Sequence, residues 1–420
     1  MATNDKKNIL VYADWEQIGT PTLMGNLTVS SVRGKESFSF EYADNWIQFG
    51  FSQIIDPDLQ LFTGTFFPKN NKQNFGVFLD SCPDRWGRTL MQRREAMIAK
   101  QESRDIKTLF ESDYLLGVFD ENRMGGLRFK LNESGPFLND HVGIATPPWT
   151  SLRELEQACS HLENDDADNK ANRKWINLLI APGSSLGGAR PKAGVLDIKK
   201  KLWIAKFPSK YDNRDIAAWE MVVNQMAKSA GINVAEGQLV KFNSKYHTYC
   251  SKRFDRTKNN RRVHFASAMT MLGYTDGEQA AGASYLELME FIFRNGALVE
   301  NDLEELWKRI VFNICVSNTD DHLRNHGFLL TNTGWKLSPA YDLNPNEFGS
   351  GLSININEHN NALDLSLALE VAPYFKLSNE KANRIIKKIT TVVKDWRKVA
   401  TYYKIPKAEQ HRMESAFINN

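Results

Sequence analysis

Two neighbouring segments hold the side chains best suited to chemistry. "SNTDDHLRNHGFLL", Ser317 to Leu330, crowds two acids, two histidines, an asparagine and an arginine into a presumed loop behind a long apolar helical run. "WKLSPAYDLNP" then places Asp342 between a strand-like run and a turn. A hydrolytic metal site is the weaker reading, because such sites need further His or Asp ligands at helical spacing. The spacing Asp320-x-x-x-x-Asn325 fits phosphoryl transfer better. One carboxylate accepts or orients the proton of a substrate hydroxyl, an amide oxygen a few residues on holds Mg²⁺, and a second carboxylate joins that metal to the phosphates. Asp320, Asn325 and Asp342 fill these places in order. A β-hairpin over "HGFLLTNTGWKLSPAYD" is expected to set Asn325 beside Asp342, as a shared Mg²⁺ requires.

Such a site needs upstream parts, and the chain offers them in order. Lys206 ends the apolar strand "LWIAKFP" and is the candidate for the α- and β-phosphates of ATP. Glu220, on the helix "AAWEMVV", is the acid that would hold it. The Gly-rich "GSSLGGARPK" precedes the lysine strand, and glycine-freed N–H groups there could point at an anion. Each signal alone has an ordinary explanation: a turn, a rim lysine, a surface acid, an Asx-turn loop. Their order, on a β-lobe followed by a helical lobe, is that of protein kinases. Departures are plain: no G-x-G-x-x-G, Asp342 in "YDL" instead of D-F-G, Asn318-Thr319 where His-Arg would stand, and no A-P-E.

The elements are legible by pattern. "ILVYADW", "TLMGNLTVS" and "SFSFEYADNW" read as strands. "PDRWGRTLMQRREAMIAKQES" reads as a helix with proline at its entrance, and "DYLLGVFDENRMGGLRFKL" as helix, turn and strand. A Gly/Pro/Asn-rich stretch, Asn132 to Trp149, puts a domain boundary near 145. After it come a serine-capped helix from Ser151, a hairpin turning over Lys199–Lys201, a helix with an Asp cap and a terminal Gly, and two more strands. Beyond Arg256 the pattern is mostly helical. The basic run "RTKNNRR", Arg256 to Arg262, reads as a solvated hairpin and not a groove reader.

Composition narrows the class. The chain has 420 residues, 42% hydrophobic and 25% charged, with net charge +3. That suits a multidomain globular protein and gives no argument for nucleic acid. Four dispersed cysteines without C-x-x-C spacing fit a reducing compartment. The polar N-terminus lacks a secretory pattern, and no apolar run nears the ~20 residues of a membrane helix. A cytoplasmic protein with no membrane partner is expected.

The departures point to a relative. The chain resembles the HipA family, serine/threonine kinase toxins of bacterial toxin–antitoxin pairs. "PDRWGR" and "LLGVFDENRMGGLRF" are similar to the family's N-terminal subdomain; "GSSLGGARPKA", "KRFDR", "RVHFASAMTMLG", "NTDDHLRNHGFLL" and "SPAYDLNP" are similar to its core. The resemblance implies an α+β, two-lobed, protein-kinase-like fold: a β-rich N-terminal subdomain over 1–145 and a core over 146–420, with nucleotide strands to about 256 and a helical catalytic lobe after. It implies ATP and Mg²⁺ as cofactors, Asp320 as catalytic base, and Asn325 and Asp342 as metal ligands. Lys206 matches the ATP lysine, with Glu220 positioning it. Gly187, Gly188, Ala189, Arg190 and Lys192 match the phosphate loop. His322 and Tyr341 flank the nucleotide, and Arg253 and Phe254 meet the adenine. Ser185 falls at the family's autophosphorylation position, with Ser184 one residue off. The family's partner is a HipB-like helix-turn-helix antitoxin, through which DNA is reached indirectly, and its known substrates are aminoacyl-tRNA synthetases. Two other readings stand beside this one: a catalytically quiet co-repressor that binds the antitoxin, and a small-molecule phosphotransferase of the aminoglycoside type, which shares the Asp-x4-Asn loop.

Overall fold

The computed structural model describes residues 5–70, 72–163, 176, 179, 190–275, 277 and 282–417. Ser184, Ser185, Gly187, Gly188 and Ala189 of the phosphate loop lie outside the described residues. Contacts divide the chain into two compact units, Met1–Lys210 with Asp255–Ala266, and Tyr211–Phe254 with Ser267–Asn420.

The first unit is built on an antiparallel sheet in the order β4-β3-β2-β1-β5: β1 Asp5–Ala13, β2 Thr22–Val32, β3 Lys35–Tyr42, β4 Thr65–Phe66 and β5 Leu127–Lys130. Along β3, Phe38, Phe40 and Tyr42 are buried and their neighbours are not, the alternation of a half-buried strand. Phe40 packs on Phe78, and Phe78 on Phe129, with ring centroids 5.7 and 5.9 Å apart. Gly25 of β2 is required by close approach, since a Cβ there would meet the Glu41 carbonyl oxygen at 2.2 Å.

The "PDRWGR" helix spans Arg85–Gln101. Its cap is Asp84, which accepts from the Gly87 N–H at 2.8 Å, so Pro83 stands just before the cap. Arg88 clasps Glu111 through both terminal nitrogens and lies over the Tyr114 ring. Ser151 belongs to a 3-10 turn, Trp149–Ser151, that runs into the helix Leu152–Glu163, so it does not cap it as expected. The lysine strand forms a hairpin as read, β6 Lys192–Leu196 with β7 Leu202–Lys206, register Lys192↔Lys206. Asp197 closes the turn by accepting the Lys199 and Lys201 N–H groups, each at 2.8 Å.

The basic run is only partly solvated. Its tip, Lys258 to Arg261, is exposed, but Arg262 is buried against Asp120, and Arg256 pairs with the fully buried Asp255. Beside this hairpin His264 is buried and stacks on Trp15, centroids 4.8 Å apart. Burial pushes its pKa down to about 3. The unfolded chain, titrating near 6.5, therefore takes up the proton first, and stability falls as pH drops below about 6.5 until about 3. Between pH 7 and 5 the loss from this group is expected at about 2 kcal/mol. Urea unfolding at both pH values, on wild type and His264→Gln, checks it: the variant should lose that much less.

The second unit opens with the helix Ile216–Ala230, capped by Asp215 accepting from the Ala218 N–H and closed by Gly231 at φ +87°, a conformation glycine adopts without strain. The hairpin of β8 Gly237–Val240 and β9 Thr248–Lys252 follows. Helix Tyr285–Asn295 starts with a capping box between Ser284 and Glu287. Helix Val299–Val316 is the unit's axis: Leu303, Leu306, Trp307, Ile310, Val311, Ile314 and Cys315 are all fully buried. It stops at Ser317, whose backbone turns left-handed at φ +48° and throws the chain into the Asp320 loop. The predicted hairpin is present, Gly327–Thr331 against Gly334–Leu337, with Phe328 opposite Leu337.

Candidate active site

The second unit gathers most of the expected site. Asn325 Nδ2 donates to the Asp320 carbonyl oxygen at 2.9 Å. Since the amide's nitrogen is used there, its Oδ1 is the atom left to face a cation. The Tyr341 hydroxyl donates to the Arg324 carbonyl oxygen at 2.6 Å, so the hairpin does return Tyr341–Asp342 to the side of Arg324–Asn325. Asp342 has φ +58°, a left-handed backbone unusual for a non-glycine residue. Asn344 Nδ2 donates to its Oδ1 at 2.9 Å. Phe254 and Tyr341 pack with their rings tilted by 36°, 5.3 Å between centroids. Arg253 beside them is buried.

The electrostatics agree with the geometry. Asp320 is exposed, yet its carboxyl pKa is raised, first by partial removal from water and then by the charges of Asp342 and Asp321; His322 opposes. Glu220 is a buried helix acid and not the surface charge a helix glutamate usually is. Its charge and that of Asp342 both add to burial in raising the Tyr249 pKa, so both carboxylates lie within electrostatic reach of one hydroxyl.

Asp321 is the residue the sequence reading gave no role. It is buried, and its Oδ2 accepts from the Tyr285 hydroxyl, from Asn313 Nδ2 at 2.8 Å and from His326 Nε2 at 2.8 Å. Burial alone would raise its pKa; the His326 charge and these hydrogen bonds outweigh burial and hold it below the usual carboxylate value. His322 and His326 stand at H-x-x-x-H spacing, which on a helix would suggest zinc. Here the backbone is extended at both residues, around a 3-10 turn at Leu323–Asn325, and His326 is committed to Asp321. Among the described residues no three His, Cys, Asp or Glu side chains converge as a metal cage. An amide oxygen and one carboxylate are hard donors that suit Mg²⁺ arriving with phosphates.

The first unit holds the rest of the expected set. Lys206 ends β7, and Arg190 and Lys192 flank the undescribed loop. Lys192 is buried, with its Nζ 2.8 Å from Asp84 Oδ2, while its carbonyl oxygen accepts from Trp86 Nε1 at 3.1 Å. The "PDRWGR" motif thus grips the first residue of β6. Lys192→Met would leave the Asp84 carboxylate buried without its cation. The expected cost is about 3–5 kcal/mol, read as a lowered urea midpoint.

Comparison with known proteins decides the family. The model of the HipA-like C-terminal domain matches residues 184–396, half of the chain. The chain belongs to the HipA family. Over 149 residues it is 30% identical to a putative kinase of Haemophilus influenzae, covering 32% of this chain and 43% of that protein. Over 142 residues it is 27% identical to the serine/threonine-protein kinase toxin HipA of Shewanella oneidensis, covering 30% of this chain and 33% of that protein. The matching stretch therefore spans less than half of either relative. The HipA fold itself extends further: the toxin chain in a solved complex of Shewanella oneidensis HipA, HipB and operator DNA aligns over 97% of this chain and 95% of its own, with TM-score 0.62 at 18% identity. The expected α+β HipA-like fold is borne out. Among the described residues no helix is long and apolar enough to cross a membrane.

Proposed function

We propose that this chain is an ATP- and Mg²⁺-dependent serine/threonine protein kinase of the toxin type. The observation that supports the reading is the return of the hairpin to the Asp320 loop, where the Tyr341 hydroxyl bonds the Arg324 carbonyl and Asn325 Nδ2 is held by the Asp320 carbonyl, so that Oδ1 is its remaining donor atom for a cation. In this reading Asp320 takes or orients the proton of the acceptor hydroxyl. Asn325 Oδ1 and Asp342 would hold a metal ion, which would neutralise the phosphate charge, while ATP would supply the phosphoryl group. Lys206 pairs with the α- and β-phosphates and Glu220 positions it. Gly187, Gly188, Ala189 and Arg190 would form the loop over the phosphates, while Lys192, just after it, is held by Asp84. Phe254 and Tyr341, with Arg253 and His322, border the nucleotide. Ser185 or Ser184 accepts phosphate in cis, and roughly two added negative charges there would repel the loop from ATP.

The outward part of the proposal rests on the relatives. One is named a serine/threonine-protein kinase toxin, and the solved neighbour is complexed with HipB and operator DNA. By analogy this chain would work in the cytoplasm. It would bind a HipB-like helix-turn-helix antitoxin, reach DNA only through it, and phosphorylate a protein of translation such as an aminoacyl-tRNA synthetase.

The test is intact-mass and phosphosite analysis of purified protein after Mg-ATP. One added phosphate on Ser184 or Ser185 is expected. None, on a sample shown to start unmodified, overturns autophosphorylation and favours the quiet antitoxin-binding co-repressor.

A further inference from the structure

Asn318 stands where a protein-kinase loop carries histidine, and the proposed chemistry gives it no task. It is completely buried, as is Asn313 on the preceding helix. The two join a line of hydrogen bonds with a fixed direction. Asp321 Oδ2 can only accept, so Asn313 must present its Nδ2 to it, at 2.8 Å. That turns Asn313 Oδ1 outward, where Asn318 Nδ2 donates to it at 3.1 Å. Asn318 Oδ1 then accepts the backbone N–H of Asn344 at 3.2 Å. Asn344 in turn donates its own Nδ2 to Asp342 Oδ1 at 2.9 Å. An anion at the buried end thereby sets the orientation of the Asn313 and Asn318 amides, and Asn318 in turn holds the backbone of Asn344, whose own amide reaches the carboxylate at the other end.

Both ends matter to the site. Asp321 is the chain neighbour of Asp320. Asp342 sits on a left-handed backbone at φ +58°, a conformation that surrounding structure must maintain. Asn318 also anchors its own loop, its N–H donating to the Asn313 carbonyl at 3.0 Å, and the adjoining Thr319 hydroxyl accepts from Asn346 Nδ2 at 2.7 Å. The two positions that replace His-Arg therefore both tie the Asp320 loop to the segment after Asp342.

We propose that Asn313, Asn318 and Asn344 form an amide relay that positions the Asp342 carboxylate relative to Asp320, with Asp321 as its buried anchor. They are positioning residues that act through Asp342. The inference rests on the kinase reading above and adds to it which residues orient the metal ligand.

Asn344→Ala removes the arm that reaches Asp342, and its half-buried side chain makes that change compatible with folding. Asn318→Asp keeps the shape and the acceptor for the Asn344 N–H but loses the donor to Asn313. Three quantities are measured on each variant and on wild type: affinity for Mn²⁺ in the presence of a non-hydrolysable ATP analogue, by electron paramagnetic resonance; kcat and KM for ATP; and the melting temperature. Residues that orient a metal ligand typically change metal affinity or activity about 10–100-fold. Asn344→Ala is expected to weaken Mn²⁺ binding and lower kcat by about tenfold or more, with KM for ATP and melting temperature near wild type. Asn318→Asp should weaken Mn²⁺ binding and lower kcat likewise, and its buried carboxylate should also lower the melting temperature. If Asn318→Asp does not fold, Asn344→Ala decides alone. Wild-type Mn²⁺ affinity and kcat in Asn344→Ala overturn the relay while leaving the kinase reading intact. A wild type that neither binds Mn²⁺ with the analogue nor transfers phosphate overturns the kinase reading, and the relay with it.

Discussion

Asp320→Ala is expected to retain the nucleotide and lose the reaction. A positioned base contributes about 10²–10⁴-fold to proton transfer, so phosphate incorporation should fall into that range below wild type. ATP affinity, which depends on the lysine, loop and metal ligands, should change by no more than about twofold. Stopped-time phosphate incorporation and calorimetric ATP titration separate the two. The environment of Asp320 adds a pH signature. Its carboxyl pKa is raised, first by partial burial and then by Asp342 and Asp321. A base works only when deprotonated, so the acid limb of kcat/KM for wild type should lie above the ordinary carboxylate range. Activity should therefore fail earlier on acidification than an unperturbed aspartate would allow. Residual transfer equal to wild type would remove Asp320 from the mechanism.

The second large effect is on stability. Asp321→Ala deletes the one oxygen that receives the Tyr285 hydroxyl, Asn313 Nδ2 and His326 Nε2. All three donors are buried among residues 1% exposed or less. A buried donor without a partner costs about 1–3 kcal/mol; Asn313 Nδ2 keeps the Tyr285 hydroxyl oxygen at 3.3 Å, and the two donors left unpaired should together cost about 3–5 kcal/mol. For a unit of this size the melting temperature should drop by roughly 10 °C. Asp321→Asn keeps an oxygen for the same donors and should cost much less. Scanning fluorimetry on both variants checks the claim; equal, small shifts would show that the donors find other partners.

The parts of the site that could be read in the sequence are local ones. Asp320, Asn325 and Asp342 were legible because one loop and one hairpin, both marked by short-range pattern, fix their spacing. The glycine stop at Gly231 and the hairpin turn over Lys199–Lys201 were legible for the same reason. Burial and distant partners were not. The sequence reads Lys192 as part of a phosphate loop; the chain puts its ammonium on Asp84 and its carbonyl on Trp86, 106 positions away. The doubled acid Asp320-Asp321 was visible, but nothing in it says that one carboxylate faces solvent while the next is sealed among three donors. Asn318 was visible as a departure from the kinase pattern, yet its use depends on Asn313 one helical turn back and on Asn344 beyond the hairpin. Arg256 and Arg262 resembled surface charge because their partners, Asp255 apart, come from Asp14 and the segment around Asp120.

The grip of Asp84 and Trp86 on Lys192 bears on how such a chain can be divided and inherited. The sequence suggests a seam near 145, and the matched family model begins after it, at 184. A gene cut at that seam would encode a core whose first strand has lost the Asp84 carboxylate that faces its lysine and the Trp86 indole that bonds its carbonyl. The piece before the seam would keep a helix cap built for a lysine it no longer has. The two pieces are therefore not interchangeable modules. A recombinant that joins the front of one such protein to the back of another should survive only where both parents place an acid, a tryptophan and a lysine at these three positions.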